Sequence, residues 1–159
     1  MAAMELGLRP ATTEEVKERL PRLAARYVNE IVASGSLLPE AAQAKAHRDL
    51  SVLLKDGPDT AGQLIFRLVA GEQPVGWLWL AVPQPGGDPH MAWVNDVEVD
   101  EAFRGRGYGR QVMLLAEQAA AARGMTSVGL NVHGSNAVAR DLYDSLGYQV
   151  TAQQMKKSL

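Results

Sequence analysis

Hydrophobic positions along this chain recur first at helical spacing and then, past the middle of the N-terminal half, at strand spacing. A short apolar run from Met4 to Leu8 reads as a strand closed by Pro10. Thr12 or Thr13, followed by Glu14, Glu15 and Glu18, makes a capped and acidic helix start. Leu20, Leu23, Ala24, Tyr27, Val28 and Ile31 continue the helical stripe, and Pro21 inside it predicts a kink or a split into two helices. Ser34, Gly35 and Ser36 end this piece. Pro39 suits the first turn of a second helix, an alanine-rich run through His47, Leu50 and Leu54 that stops at Gly57 and Pro58.

Beyond that break, Gln63 to Val69 and Pro74 to Val82 are rich in Leu, Ile, Val, Phe and Trp and are joined by Gly71 and Glu72, which predicts a hairpin. Trp77 and Trp79 share one face of its second strand and read as packing residues. Pro83 to His90 is a loop, and Met91 to Val99 is the next strand. Tyr108 to Arg123 is helical by period, with Val112, Leu115, Ala116 and Ala119 on one stripe and Gly124 as its stop. Thr126 to Val132 returns to strand. Ser135 or Asn136 caps a last helix carrying Val138, Ala139, Leu142 and Leu146, ended by Gly147, and Tyr148 to Leu159 is expected to hold one or two final strands. The alternation describes a mixed α/β domain around a central sheet.

Composition narrows the chemistry. At 159 residues and 47% hydrophobic, one core suffices, because a chain of this size buries roughly 68–70% of its unfolded surface. A formal net charge of -2 gives no overall pull toward nucleic acid or an anionic membrane, so neither partner is expected. Met1 to Pro10 lacks the basic start and apolar run of a secretion signal, and runs such as Val75 to Val82 are strand-sized, so a cytoplasmic protein is expected. The absence of cysteine removes thiolate nucleophiles, acyl-cysteine relays, iron-sulfur clusters, disulfides and thiolate zinc sites. With only His47, His90 and His133, scattered, no metal site is expected either.

Chemistry concentrates between the strand ending at Val99 and the helix starting near Tyr108, where Arg104, Gly105, Arg106, Gly107, Tyr108, Gly109 and Arg110 alternate glycine with large residues. Glycine permits positive φ and close backbone approach, so a turn of this kind leading into a helix N-terminus aims several N–H groups at one anion. Arginines there add charge-assisted contacts to a phosphate. The spacing is neither the dinucleotide fingerprint GxGxxG nor a Walker loop with its Gly-Lys-Ser/Thr.

The segment resembles the acyl-CoA-binding motif of the GCN5-related N-acetyltransferases, Arg or Gln, two residues, Gly, one residue, Gly or Ala, here Arg104, Gly107 and Gly109. The flanks are similar as well. Val97, Glu98, Val99 and Asp100 look like that family's fourth strand, and Asn136 and Ala137 through Leu142, Tyr143, Asp144, Ser145, Leu146, Gly147 and Tyr148 look like its Asn...Leu-Tyr...Gly-Phe/Tyr segment. The resemblance implies the acyl-CoA N-acyltransferase fold: a mixed, mostly antiparallel central sheet flanked by about four helices, as a single domain over residues 1–159. It implies acetyl-CoA as co-substrate and transfer of the acetyl group directly to a primary amine, on a small molecule or a peptide. Backbone amides from Gly105 to Arg110 would cradle the pyrophosphate, the main chain near Val97 and Val99 would pair with the pantetheine arm, Asn136 would touch the cofactor, and Tyr143 would protonate the departing thiolate. A homodimer is possible, dimers being common among relatives.

Spacing is compatible with these roles, since Asn136, Arg140 and Tyr143 fall at i, i+4 and i+7 on one helix face. A phenol of ordinary pKa about 10 is protonated at neutral pH and can donate to a thiolate. The general base is harder to place. Positions that hold a glutamate in relatives carry Trp93, Asn95 and Asn131, leaving Asp96, Glu98 and His133 as candidates beside a water-mediated or substrate-assisted route. Alternation puts Asp96 and Glu98 on one face and Asn95 and Val97 on the other unless a bulge intervenes. The unfilled base positions motivate an alternative, a catalytically silent acyl-CoA-sensing or partner-binding module of the same fold. Acceptor-side segments, Thr13 to Leu54 and Pro83 to His90, carry acidic and basic residues in similar number, so sequence alone implies no substrate charge.

Overall fold

A computed structural model describes residues 4–159. In chain order its elements are β1 (Leu6–Pro10), α1 (Thr13–Ala33), α2 (Pro39–Leu53), β2 (Gln63–Ala70), β3 (Gln73–Ala81), β4 (Met91–Val99), α3 (Tyr108–Ala121), β5 (Ser127–Leu130) and α4 (Ala137–Ser145). The strands form one sheet in the order β1-β2-β3-β4-β5, antiparallel up to β4 and parallel between β4 and β5. This is the mixed, mostly antiparallel sheet with four helices that the resemblance implied.

Each face of the sheet has its own core. Leu68, Leu78, Leu80 and Val94 pack against Tyr108, Val112, Met113 and Ala116 of α3 on one side. Ile65, Trp77 and Trp79 pack against Val16 and Leu23 of α1 on the other. The two tryptophans are therefore core residues, and the Trp79 indole N–H donates to Gln63 Oε1 at 2.7 Å.

α1 begins with a capping box, in which Thr12 Oγ1 accepts from the Glu15 amide and Glu15 accepts from the Thr12 amide. Contrary to the expected kink or split, it runs unbroken through Pro21. Pro21 lies on the exposed face, where the carbonyl it leaves without a donor can meet water, while buried Val16, Arg19 and Leu23 tie both flanking turns to the sheet.

The final strands expected after Tyr148 do not form: no residue from 149 onward pairs in the sheet. Val150 and Ala152 do alternate with polar neighbours, but a strand exists only against a partner ladder, and this sheet ends at β5. Val150 and Met155 are accordingly exposed.

Two irregularities interrupt the ladder of β4. Asp96 pairs with Trp79 and Val94 with Leu80, so Asn95 is an extra residue, a bulge. On the other edge β4 pairs with β5 only from Met91 to Val94, because β5 ends at Leu130 and β4 runs on to Val99.

Candidate functional site

Past the end of β5, the β4 edge from Asn95 to Val99 has no β5 partner among the described residues. Val97 and Val99 turn their side chains into the α3-side core, leaving their main chain at this open edge. The bulge decides the rest. It places Asp96 and Glu98 on the opposite, α1-facing side and leaves the Asn95 Nδ2 buried without a hydrogen-bond partner among the described residues. A buried donor of that kind calls for an acceptor supplied from outside the chain.

At the far end of the open edge lies the glycine-rich turn. Gly105 and Gly107 have φ of 74° and 79°, and a Cβ added at either would meet nothing within 4 Å, so the turn is both left-handed and open. No hydrogen bond is made by the N–H groups of Gly105, Arg106 or Gly107 among the described residues, and Gly107 is the N-cap of α3 without a side-chain cap. Those free donors, together with the first N–H groups of α3, fit a polyanion such as a pyrophosphate.

The other turn residues have separate tasks. Tyr108 is buried in the α3-side core and anchors the turn. Gly109 lets α4 approach, since a Cβ there would lie 3.3 Å from Leu142 Cδ2. The arginine side chains brace the turn: Arg104 Nε donates to the Val99 carbonyl at 3.0 Å, Arg106 donates to the Ala102 carbonyl at 3.2 Å and stacks on Phe103, and Arg110 donates to Ser145 Oγ at 2.5 Å. Backbone amides, more than guanidiniums, face the anion position.

α4 brings the remaining residues. Asn136 is its N-cap, accepting from the Ala139 amide at 3.2 Å, which leaves its Nδ2 as a donor. Tyr143 is half-buried, packed on Tyr148 with ring centroids 5.6 Å apart, and borders a cleft of about 860 Å³ together with Trp93, Gly129, Asn131 and Arg140. Gly129 is shaped to Trp93, whose ring would stand 2.6 Å from a Cβ added there. Burial pushes the Tyr143 phenol above its ordinary value, against an opposing pull from the Arg26 guanidinium, so it remains protonated at neutral pH.

Arg26 belongs to a charge cluster that sequence reasoning missed. Arg19 donates to Asp96 at 2.9 Å and to Glu98 at 2.5 Å, Arg22 pairs with Glu98, Arg26 donates to Asp96 at 2.5 Å, and Arg104 stands 3.8 Å from Glu98. The signal available for it was the i, i+3, i+7 spacing of Arg19, Arg22 and Arg26, which puts all three on one face of α1. The Arg19, Asp96 and Glu98 side chains are only 6%, 5% and 10% exposed. Burial pushes the Glu98 carboxyl up, but the hydrogen bond and charge of Arg19, joined by Arg22, outweigh it and hold the group below its ordinary value. Glu98 so held is poorly suited to taking a proton, and Asp96 is committed to Arg19 and Arg26. His133 sits in the exposed turn before α4, its Nδ1 2.7 Å from Ser135 Oγ.

A turn of free amides, an unpaired strand edge and a tyrosine-bearing helix thus lie around one gap. The Acetyltransferase (GNAT) family model matches residues 36–148, and the chain belongs to that family. It is 34% identical over 157 residues to the uncharacterized N-acetyltransferase YycN of Bacillus subtilis, covering 98% of this chain and all of that protein. The YycN crystal structure superposes with a TM-score of 0.86 over 97% of this chain and 98% of that one. A mycothiol acetyltransferase from Rhodococcus erythropolis is 36% identical over 94 residues, 57% of this chain and 31% of that protein. The family makes this chain an acyltransferase. No described helix is long and apolar enough to cross a membrane.

Proposed function

We propose that the protein transfers an acetyl group from acetyl-CoA directly to a primary amine. The observation that carries the reading is the pair of left-handed glycines, Gly105 and Gly107, whose open, hydrogen-bond-free amides lie at the end of the unpaired edge of β4. Acetyl-CoA supplies an activated thioester. The turn and the start of α3 hold its pyrophosphate, the main chain of Val97 and Val99 pairs with its pantetheine arm, and Asn136 offers its free Nδ2 to it.

The neutral amine attacks the thioester carbonyl, the C–N bond forms as the C–S bond breaks, and backbone N–H groups of the open edge favour the charge on the carbonyl oxygen. Tyr143 donates its phenolic proton to the leaving thiolate, and the proton lost by the amine passes to water in the cleft, from which the phenolate is reprotonated. Asp96 and Glu98 serve better as anchors for α1 than as bases, which favours the water route. The reaction is cytoplasmic in this reading, with the acetyl-CoA pool. Calorimetric titration with acetyl-CoA, repeated on Gly107→Glu, tests the cofactor site, and thiol release across a panel of amines tests turnover. Binding lost in the variant and release with at least one amine are expected. Unchanged binding by Gly107→Glu overturns the site, and tight binding without release by any amine leaves the silent sensor in its place.

A further inference from the structure

The charge that sequence composition averages away is sorted in space. On the α1-facing side of β4, the guanidiniums of Arg19, Arg22, Arg26 and Arg104 meet the carboxylates of Asp96 and Glu98, four positive charges against two negative. Arg19 is buried, and its Nη2 donates to both carboxylates, while its Nε is buried without a partner among the described residues. The surplus therefore resides on the outer members. Arg22 is 62% exposed and pairs through one nitrogen, and Arg26 is 40% exposed and pairs through Nη1 alone. A guanidinium has five N–H donors, so each keeps several unused. Glu30, one turn beyond Arg26, makes no ion pair with it among the described residues.

These donors are not on an arbitrary surface. Arg26 shares Asp96 with Arg19 immediately past the Asn95 bulge, at the start of the β4 edge that has no β5 partner among the described residues. A group bound by Arg22 and Arg26 therefore stands beside the gap in which the proposed transfer takes place.

We infer that the acceptor is an amine carrying an anionic group, a carboxylate or a phosphate, which Arg22 and Arg26 bind with their spare donors while the amine enters the gap beside Tyr143. The fork of an arginine matches the paired oxygens of either anion, and two forks on one helix face fix its orientation. The inference rests on the acetyl-transfer reading.

Matched acceptors test it in the wild-type protein with acetyl-CoA, read by thiol release: an amino acid against its amide and its decarboxylated amine, and phosphoethanolamine against ethanolamine. Hydrogen bonds to a charged group are stronger than neutral ones, so kcat/KM is expected to favour the anionic member by about tenfold or more. The carboxylate and phosphate arms show which anion is preferred. Arg22→Glu should collapse this ratio and raise the relative rate with diamines, with its melting temperature checked to confirm folding. Equal or better rates with the neutral or cationic members overturn the inference while leaving acetyl transfer intact. Absence of release with every amine overturns both.

Discussion

Arg26 Nη1 donates to Asp96 Oδ1 across 2.5 Å, joining the middle of the first helix to the strand residue just past the β4 bulge. The Arg26 charge also opposes the upward push of burial on the Tyr143 phenol. One side chain thus links the scaffold of the acceptor side to the group assigned the acid role. Phenylalanine in place of Tyr143 keeps the ring packed on Tyr148 and removes only the donor. Tyr143→Phe should lower kcat by about 10²–10⁴-fold, the usual worth of a positioned acid. Acetyl-CoA affinity by calorimetry should be unchanged, and a kcat within twofold of wild type would remove Tyr143 from the mechanism.

Arg19 is the buried member of the cluster, and removing it leaves Asp96 and Glu98 to the more exposed Arg22 and Arg26. Arg19→Ala should cost about 1–3 kcal/mol, the usual penalty for leaving a buried polar group short of a partner. Urea denaturation measures this directly. A loss under 1 kcal/mol would mean that Arg22 and Arg26 close over the space.

Acid should undo the same anchor. Because the folded-state value of Glu98 is depressed below its ordinary 4.5, its contribution is present above that pH and fades as the pH falls through the folded value. Melting temperatures of wild type and Glu98→Gln should differ most near neutrality and converge below pH 4.5. A gap that persists at low pH would show that charge is not its source.

Gly76 faces Val99 across β3 and β4, and a Cβ there would lie 2.1 Å from the Glu98 carbonyl oxygen. No rotamer relieves a backbone clash. Gly76→Ala should therefore push the strands apart, destabilise by about 1–3 kcal/mol as overpacking does, and weaken acetyl-CoA binding by moving Val97 and Val99. Hydrogen exchange at those amides would reveal the movement, and unaltered protection would contradict it.

Legibility in the sequence tracks the range of each interaction. The anion turn is legible because its signal is confined to Arg104–Arg110, and the helices because their period repeats within a few turns. Arg19 and Asp96 are 77 residues apart, and nothing local at either end announces the other. Asn95 as a bulge depends on how Trp79 and Leu80 pair opposite it. The tail after Tyr148 has strand-like alternation without a partner, which periodicity cannot detect. Pro21 fails as a helix breaker because tertiary anchors on either side outweigh one lost hydrogen bond.

The β4 bulge also has a consequence for insertion and deletion. Val94 faces the α3 side and Asp96 the α1 side, so a strand lacking Asn95 would alternate without a fault and satisfy both cores with eight residues in place of nine. The ninth residue is not needed for either core's alternation. A chain shortened there should keep its helices seated and its melting behaviour near normal while losing the buried amide of Asn95. It would be a folded scaffold from which the opening had been edited out.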